Sequence, residues 1–253
     1  MKKILDFTVV GKADFGRAAW LRLRADEPLP DIEPGQFAQV RVEDSPMTYL
    51  RRPISIHDVE ESTREIGFLV QKVGEGTRRL AETPLGKQVN VVLPLGKGFS
   101  LEPTNGNVLL VGGGIGIAPL YLLAKRMRAF GMTPQLLLGG KTASDLIRLE
   151  DYQALGETFV TTEDGSLGEK GFVTQHAVWQ ERQFARLCVC GPKPMMKAVA
   201  NLAKEKGIPC EVSLENLMAC GLGACLCCVE DTVDGHVCVC KEGPVFETRR
   251  LKW

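Results

Sequence analysis

Over residues 1–102 apolar and polar positions alternate in short runs. Leu21 and Leu23 alternate with Arg22 and Arg24, and Val40 and Val42 with Gln39 and Arg41. A period of two marks a strand with one buried face, because successive side chains leave the backbone on opposite sides. Turn signals such as Pro34-Gly35 break the runs. Together they predict a small antiparallel β-barrel. Only Gly76-Thr77-Arg78-Arg79-Leu80 interrupts it, as the start of a short helix.

After Pro103-Thr104-Asn105-Gly106 the period changes. Residues 108–111 are continuously apolar, as in a strand buried on both faces. A helix follows, with Leu120, Leu123, Met127 and Phe130 on one stripe and Pro119 in its first turn. Strands at 136–138, 158–161, 186–190 and 210–214 then alternate with helices at 146–155 and 175–180 and one marked by Met195, Val199 and Leu202, which Gly207 stops. That alternation predicts a parallel sheet with covered faces. Residues 213–253 are short, cysteine-dense and without helical period. The expected fold class is multi-domain, β plus α/β: a β-barrel over 1–102, a parallel-sheet domain over 103–212 and a cysteine-rich loop domain over 213–253.

Composition changes this picture only by exclusion. Apolar residues are 44% of the 253, enough for a core, and 31 basic residues balance 31 acidic ones. There is no global attraction to nucleic acid or to an anionic membrane. The opening MKKILDFTVVGKAD is interrupted by Asp6 and lacks the apolar stretch of a secretory signal. The most apolar uncharged run, 108–124, carries four glycines and a proline and is short against the roughly 20 residues of a membrane span. A cytoplasmic protein with no membrane span and no nucleic-acid partner is expected. Thiols stay reduced there, so clustered cysteines indicate metal rather than disulfides.

Six of the nine cysteines fall within 215–246. Cys220, Cys225 and Cys228 give C-x4-C-x2-C, the plant-type [2Fe-2S] spacing, which requires a fourth cysteine further on. Two irons bridged by two sulfides need four thiolates in a compact centre, wrapped by a tight loop with N–H groups aimed at sulfur. Gly221 and Gly223 allow the backbone to approach that closely. Cys238 and Cys240 share strand parity, and on spacing alone either serves as the fourth ligand. Cys227 breaks the spacing and reads as a bystander. Cys188, Cys190 and Cys210 fall in expected strands and read as core. Zinc on Cys225/Cys228 and Cys238/Cys240 is the rival, but it leaves Cys220 without a role and its second pair is C-x-C. The plainest alternative, small buried hydrophobes, sits badly with six cysteines in one segment.

The run 112–119, Gly-Gly-Gly-Ile-Gly-Ile-Ala-Pro, joins a strand to a helix and can admit a phosphate to helix-terminal N–H groups. It is not the ordinary dinucleotide fingerprint. Pro119 stands where a third glycine belongs, and 135–138 hold no acidic residue. A tight packing turn is the simpler reading of the same glycines.

Three motifs in order resemble the ferredoxin–NAD(P)+ reductase superfamily over nearly the whole chain. Arg52-Pro53-Ile54-Ser55 stands where that family has its flavin-binding Arg-x-Tyr-Ser/Thr, and Gly74-Glu75-Gly76-Thr77 where a turn meets the flavin pyrophosphate. The run 113–119 and Cys190-Gly191-Pro192 match its nicotinamide-domain signatures. The tail, with Met218-Ala219-Cys220 through Cys228 and then Cys240-Lys241-Glu242-Gly243-Pro244-Val245-Phe246, is similar to the electron-transfer subunits of two-subunit, NAD-dependent dihydroorotate dehydrogenases.

The resemblance implies FAD at Arg52, Pro53, Ile54, Ser55, Leu69, Val70, Gln71, Gly76 and Thr77. It implies NAD at Gly113, Gly114, Gly116, Cys190, Gly191 and Pro192, and a [2Fe-2S] cluster on Cys220, Cys225, Cys228 and Cys240. Cys240 is favoured over Cys238 because that family's last ligand directly precedes Lys-Asp/Glu-Gly-Pro-Val-Phe. It also implies an FMN-containing catalytic subunit as partner, in a heterotetramer of two plus two serving pyrimidine biosynthesis. Electrons from dihydroorotate would pass through the cluster and FAD to NAD+. No catalytic residue is expected on this chain. His57, His176 and His236 lack partners for acid–base work, and the base would sit on the partner.

Ile54 departs from the family's aromatic residue, so flavin stacking must be weaker or come from elsewhere. Gly139-Gly140-Lys141-Thr142 offers one Lys instead of an Arg-rich 2′-phosphate site, which favours NAD over NADP. Two other readings stand beside this one. The first is a reductase subunit of another redox complex, such as a hydrogenase or a ferredoxin oxidoreductase; the second is a zinc-stapled binding module.

Overall fold

The alternating segments close on themselves. In the computed structural model, which describes all 253 residues, β1 (Lys3–Asp14), β2 (Ala18–Ala25), β3 (Phe37–Val40), β4 (Arg52–Glu60) and β5 (Glu65–Gln71) are followed by helix α1 (Glu75–Glu82) and β6 (Gln88–Leu95). The strands form a closed antiparallel barrel in the order β1-β2-β5-β4-β3-β6. Leu21, Leu23, Phe68 and Val91 are fully buried, while Arg22 and Arg24 share Glu65. Here the period-two pattern reads correctly. It fails at Gln39, a polar position of the pattern, which is 1% exposed because the tail covers its strand.

The second half runs β7 (Val108–Gly113), α2 (Ala118–Ala129), β8 (Gln135–Gly140), α3 (Leu149–Gln153), β9 (Glu157–Thr162), β10 (Glu169–Lys170), α4 (Val178–Glu181), β11 (Arg186–Cys190), α5 (Lys193–Glu205) and β12 (Cys210–Ser213). The tail adds β13 (Val229–Thr232), β14 (Gly235–Cys238), α6 (Val239–Glu242) and β15 (Val245–Glu247). The seven-stranded sheet has the order β10-β9-β8-β7-β11-β12-β15. It is parallel except for β15, which pairs antiparallel with β12.

Several expectations shift. The helix expected over 146–155 shrinks to α3, because Arg148 takes a left-handed φ of 58°. The helix expected over 175–180 splits. His176 is extended and its Nδ1 accepts from the Val178 N–H at 3.0 Å, so a fresh short helix starts there. Phe130 lies beyond the end of α2 and is exposed. The shared parity of Cys238 and Cys240 does not hold either, since β14 ends at Cys238 and Cys240 lies on α6.

The chain divides into two compact units. One joins Met1–Gly98 with Glu215–Glu230 and His236–Pro244; the other joins Phe99–Leu214 with Asp231–Gly235 and Val245–Trp253. Most of the cysteine-rich segment thus belongs with the barrel.

In the second unit Leu110, Leu120, Leu123, Leu136, Leu138 and Tyr152 are completely buried in one cluster. Leu110→Ala at its centre should cost about 2–5 kcal/mol by lost transfer energy and an unfilled cavity, read as a lower urea midpoint with unchanged slope.

Candidate functional site

The thiols of the tail lie in the barrel unit, where the sequence bends sharply to gather them. Gly221 and Gly223 take φ of 69° and 84°, and Leu226 takes 58°, an uncommon conformation for a residue with a side chain. The Cys220 sulfur accepts the Leu222 N–H at 3.3 Å. That bond, with N–H groups of Cys225 and Ala224 and the Cys225 thiol, pulls the Cys220 thiol down to about 6. The Cys228 sulfur accepts the Cys240 N–H at 3.4 Å. Burial, and then donation to Cys228, pushes Cys240 up to about 12.

The thiols therefore come in two pairs, Cys220 with Cys225 and Cys228 with Cys240. A two-iron centre, with two thiolates to each iron and N–H groups turned to sulfur, suits this donor set. The Cys238 thiol is turned to the Gly223 carbonyl at 3.8 Å, and Cys227 is exposed. Leu222 and Leu226 are exposed, whereas Val229 is half-buried, so the first two do not pack the loop.

The same unit holds the flavin-motif residues. Arg52 begins β4, and its Nη1 donates to the Leu50 carbonyl at 2.9 Å. A Cβ on Gly76 would come within 2.6 Å of Arg52 Nε, so this glycine leaves room for the guanidinium beside the first turn of α1. Cation and helix start together make an anion site. Thr77 contributes indirectly. Its hydroxyl accepts from the Val73 and Gly74 N–H groups at 3.1 Å and donates to Gly74, which fixes the turn. Pro53, Ile54 and Ser55 are half-buried on β4; Leu69 and Val70 are buried on β5, and Gln71 is exposed at its end. A groove of about 760 Å3 runs along the loop before Arg52, lined by Arg41, Ser45, Thr48 and Tyr49 among others. Sequence reading missed this loop, whose only signal is a run without periodicity.

In the other unit the order of the sheet reverses at β7, whose neighbours are β8 and β11. Such a switch point leaves a crevice at the carboxyl ends of the strands, where nucleotides bind. Gly113 ends β7 there, with Gly114 and Gly116 after it, and Cys190 ends β11, with Gly191 and Pro192 after it. The two turns touch: a Cβ on Gly116 would lie 2.5 Å from Gly191 N and Cα. The buried Tyr152 hydroxyl donates to the Ile117 carbonyl at 3.0 Å and braces the turn. Cys190, like Cys188 and Cys210, is buried.

A closed barrel with an anion site, a sheet with a nucleotide crevice and a four-thiol loop define an oxidoreductase component of the ferredoxin-reductase type. Comparison with known proteins agrees. A family model described as "Iron-sulfur cluster binding domain of dihydroorotate dehydrogenase B" matches residues 215–252, and "Oxidoreductase NAD-binding domain" matches 110–201. The chain is 42% identical to the "Dihydroorotate dehydrogenase B (NAD(+)), electron transfer subunit" of Lysinibacillus sphaericus, with 87% of each chain covered. It is 37% identical to the protein of that name from Shouchella clausii, over 97% of this chain and 96% of the other. A solved structure of an NADH-dependent reduced ferredoxin-NADP oxidoreductase, studied for flavin-based electron bifurcation, matches with TM-score 0.89 and 31% identity over 98% of this chain and 90% of that one. The chain belongs to the family of electron transfer subunits of dihydroorotate dehydrogenase B (NAD+).

Two substitutions test the glycine contacts. Gly76→Ala meets the flexible end of Arg52 and, at 3.0 Å, the Thr48 methyl, and no backbone, so it should leave folding intact yet lower FAD affinity about tenfold, the scale of one charge-assisted contact, in a flavin-retention titration. Gly116→Ala meets backbone and should weaken NADH binding at least as much, with a lower thermal midpoint, in fluorescence titration and calorimetry.

Proposed function

We propose that this chain takes electrons from an FMN-containing subunit that oxidises dihydroorotate and delivers them to NAD+, in the cytoplasm, as half of a two-plus-two heterotetramer serving pyrimidine biosynthesis. The observation that carries the reading is the shared unit: Gly221, which directly follows Cys220, lies against Gln39 of β3, whose neighbour β4 carries the flavin motif. Bound there, a cluster passes single electrons, FAD converts them to pairs, and nicotinamide takes a hydride.

The protein's part is placement. Cys220, Cys225, Cys228 and Cys240 hold the cluster. Arg52 and the first turn of α1 would hold the FAD pyrophosphate, and Ser55 and the Leu69-Val70-Gln71 segment would contribute to binding the flavin. Gly113, Gly114, Gly116 and the 190–192 turn let NAD approach the backbone closely. No acid–base residue of this chain is needed. Exposed Leu217, Leu222 and Leu226 beside the cysteines form the apolar face on which the catalytic subunit docks. No helix is long and apolar enough to cross a membrane.

Anaerobic reconstitution with the dihydroorotate-oxidising subunit tests the reading. NADH should form in proportion to dihydroorotate only when both subunits are present; formation from reduced ferredoxin instead would place the chain in another redox complex. Cys240→Ser should lose iron and the red-brown absorbance, while Cys238→Ser keeps both. The reverse result, by iron analysis and visible spectra, would exchange their roles.

A further inference from the structure

Gln39 carries a buried amide for which the protein supplies no partner. Its side chain is 1% exposed, and neither Nε2 nor Oε1 makes a hydrogen bond. Buried amides are almost always satisfied, so such a group points to a partner from outside the chain. Register fixes its direction. Gln39 lies opposite Val92 on β6 and Pro53 on β4. Val89, Val91 and Leu93 are buried in the barrel, so Val92 and Gln39 face outward. There the side chain meets the cysteine loop. A Cβ on Gly221 would lie 2.7 Å from Gln39 Cγ and 2.9 Å from Nε2, which makes Nε2 the amide atom turned to the loop. Gly221 directly follows Cys220.

We propose that Gln39 is a positioning residue for the iron–sulfur group, its Nε2–H donating to sulfur at the Cys220 corner; this role rests on the tail holding a cluster. A sulfur-rich anion offers acceptors only, and a donor turned toward its loop is the complement it needs. The same bond favours the more negative, reduced form and so raises the reduction potential.

The test uses full-length protein loaded anaerobically, with nitrogen-15 in the glutamine side-chain amides. Pulsed electron paramagnetic resonance of the reduced wild type should show nitrogen-15 coupling, and Gln39→Met should abolish it. The variant should also shift the one-electron reduction equilibrium about tenfold toward the oxidised form, a potential lower by about 59 mV, with the flavin absorption unchanged. A wild-type cluster signal without glutamine coupling overturns the proposal. So does an unchanged potential in Gln39→Met, or a change confined to the flavin. If Gln39→Met fails to fold or to load iron, the labelled wild type alone decides. Wild type that takes up no iron would overturn the cluster reading itself, which is a separate result.

Discussion

The relay depends on how the tail is fastened to the barrel. The Lys97 N–H donates to the Gly243 carbonyl at 2.6 Å, and Lys97 Nζ meets Glu242 at 2.8 Å. A Cβ on the neighbouring Gly96 would strike Gly243 and Pro244, so the two backbones lie in direct contact. An exposed ion pair contributes little by itself; the close backbone approach carries the attachment. It holds α6, with Cys240, just beyond the end of β6. Nineteen residues before Cys240, Gly221 lies against Gln39 on β3, a hydrogen-bonded neighbour of β6. Both halves of the thiol set are thereby fixed to adjacent strands, and a cluster held between them cannot drift from the flavin motif on β4.

The nucleotide crevice follows a different logic. Reversal of strand order at β7 brings two turns, far apart in sequence, to one end of the sheet. Gly116 and Gly191 pack so tightly that neither turn can carry a side chain toward the other. In the proposed reading, contacts to cofactor in both units would come mainly from backbone, one arginine and four thiols. That economy suits electron transfer, where orientation matters and proton abstraction does not.

Much of this was legible in the residues. Period-two alternation with turn signals specifies a barrel, because one-sided burial of a strand leaves no other regular pattern. The spacing Cys220, Cys225, Cys228 specifies iron–sulfur chemistry, because few sites need that loop. Short elements were less legible. Arg148 ends one expected helix by a backbone conformation no local pattern announces, and the extended His176, which accepts the Val178 N–H, splits another.

The sequence by itself determined the barrel, the parallel sheet and the identity of the metal chemistry, all of which follow from local period and spacing. Tertiary structure alone decided that the cysteine segment packs with the barrel and that β15 adds an antiparallel edge to the sheet. It also buried Gln39, a position that alternation assigns to solvent. Each of these depends on contacts between residues distant along the chain, and hydrophobic period carries no information about which distant segment will cover a given face.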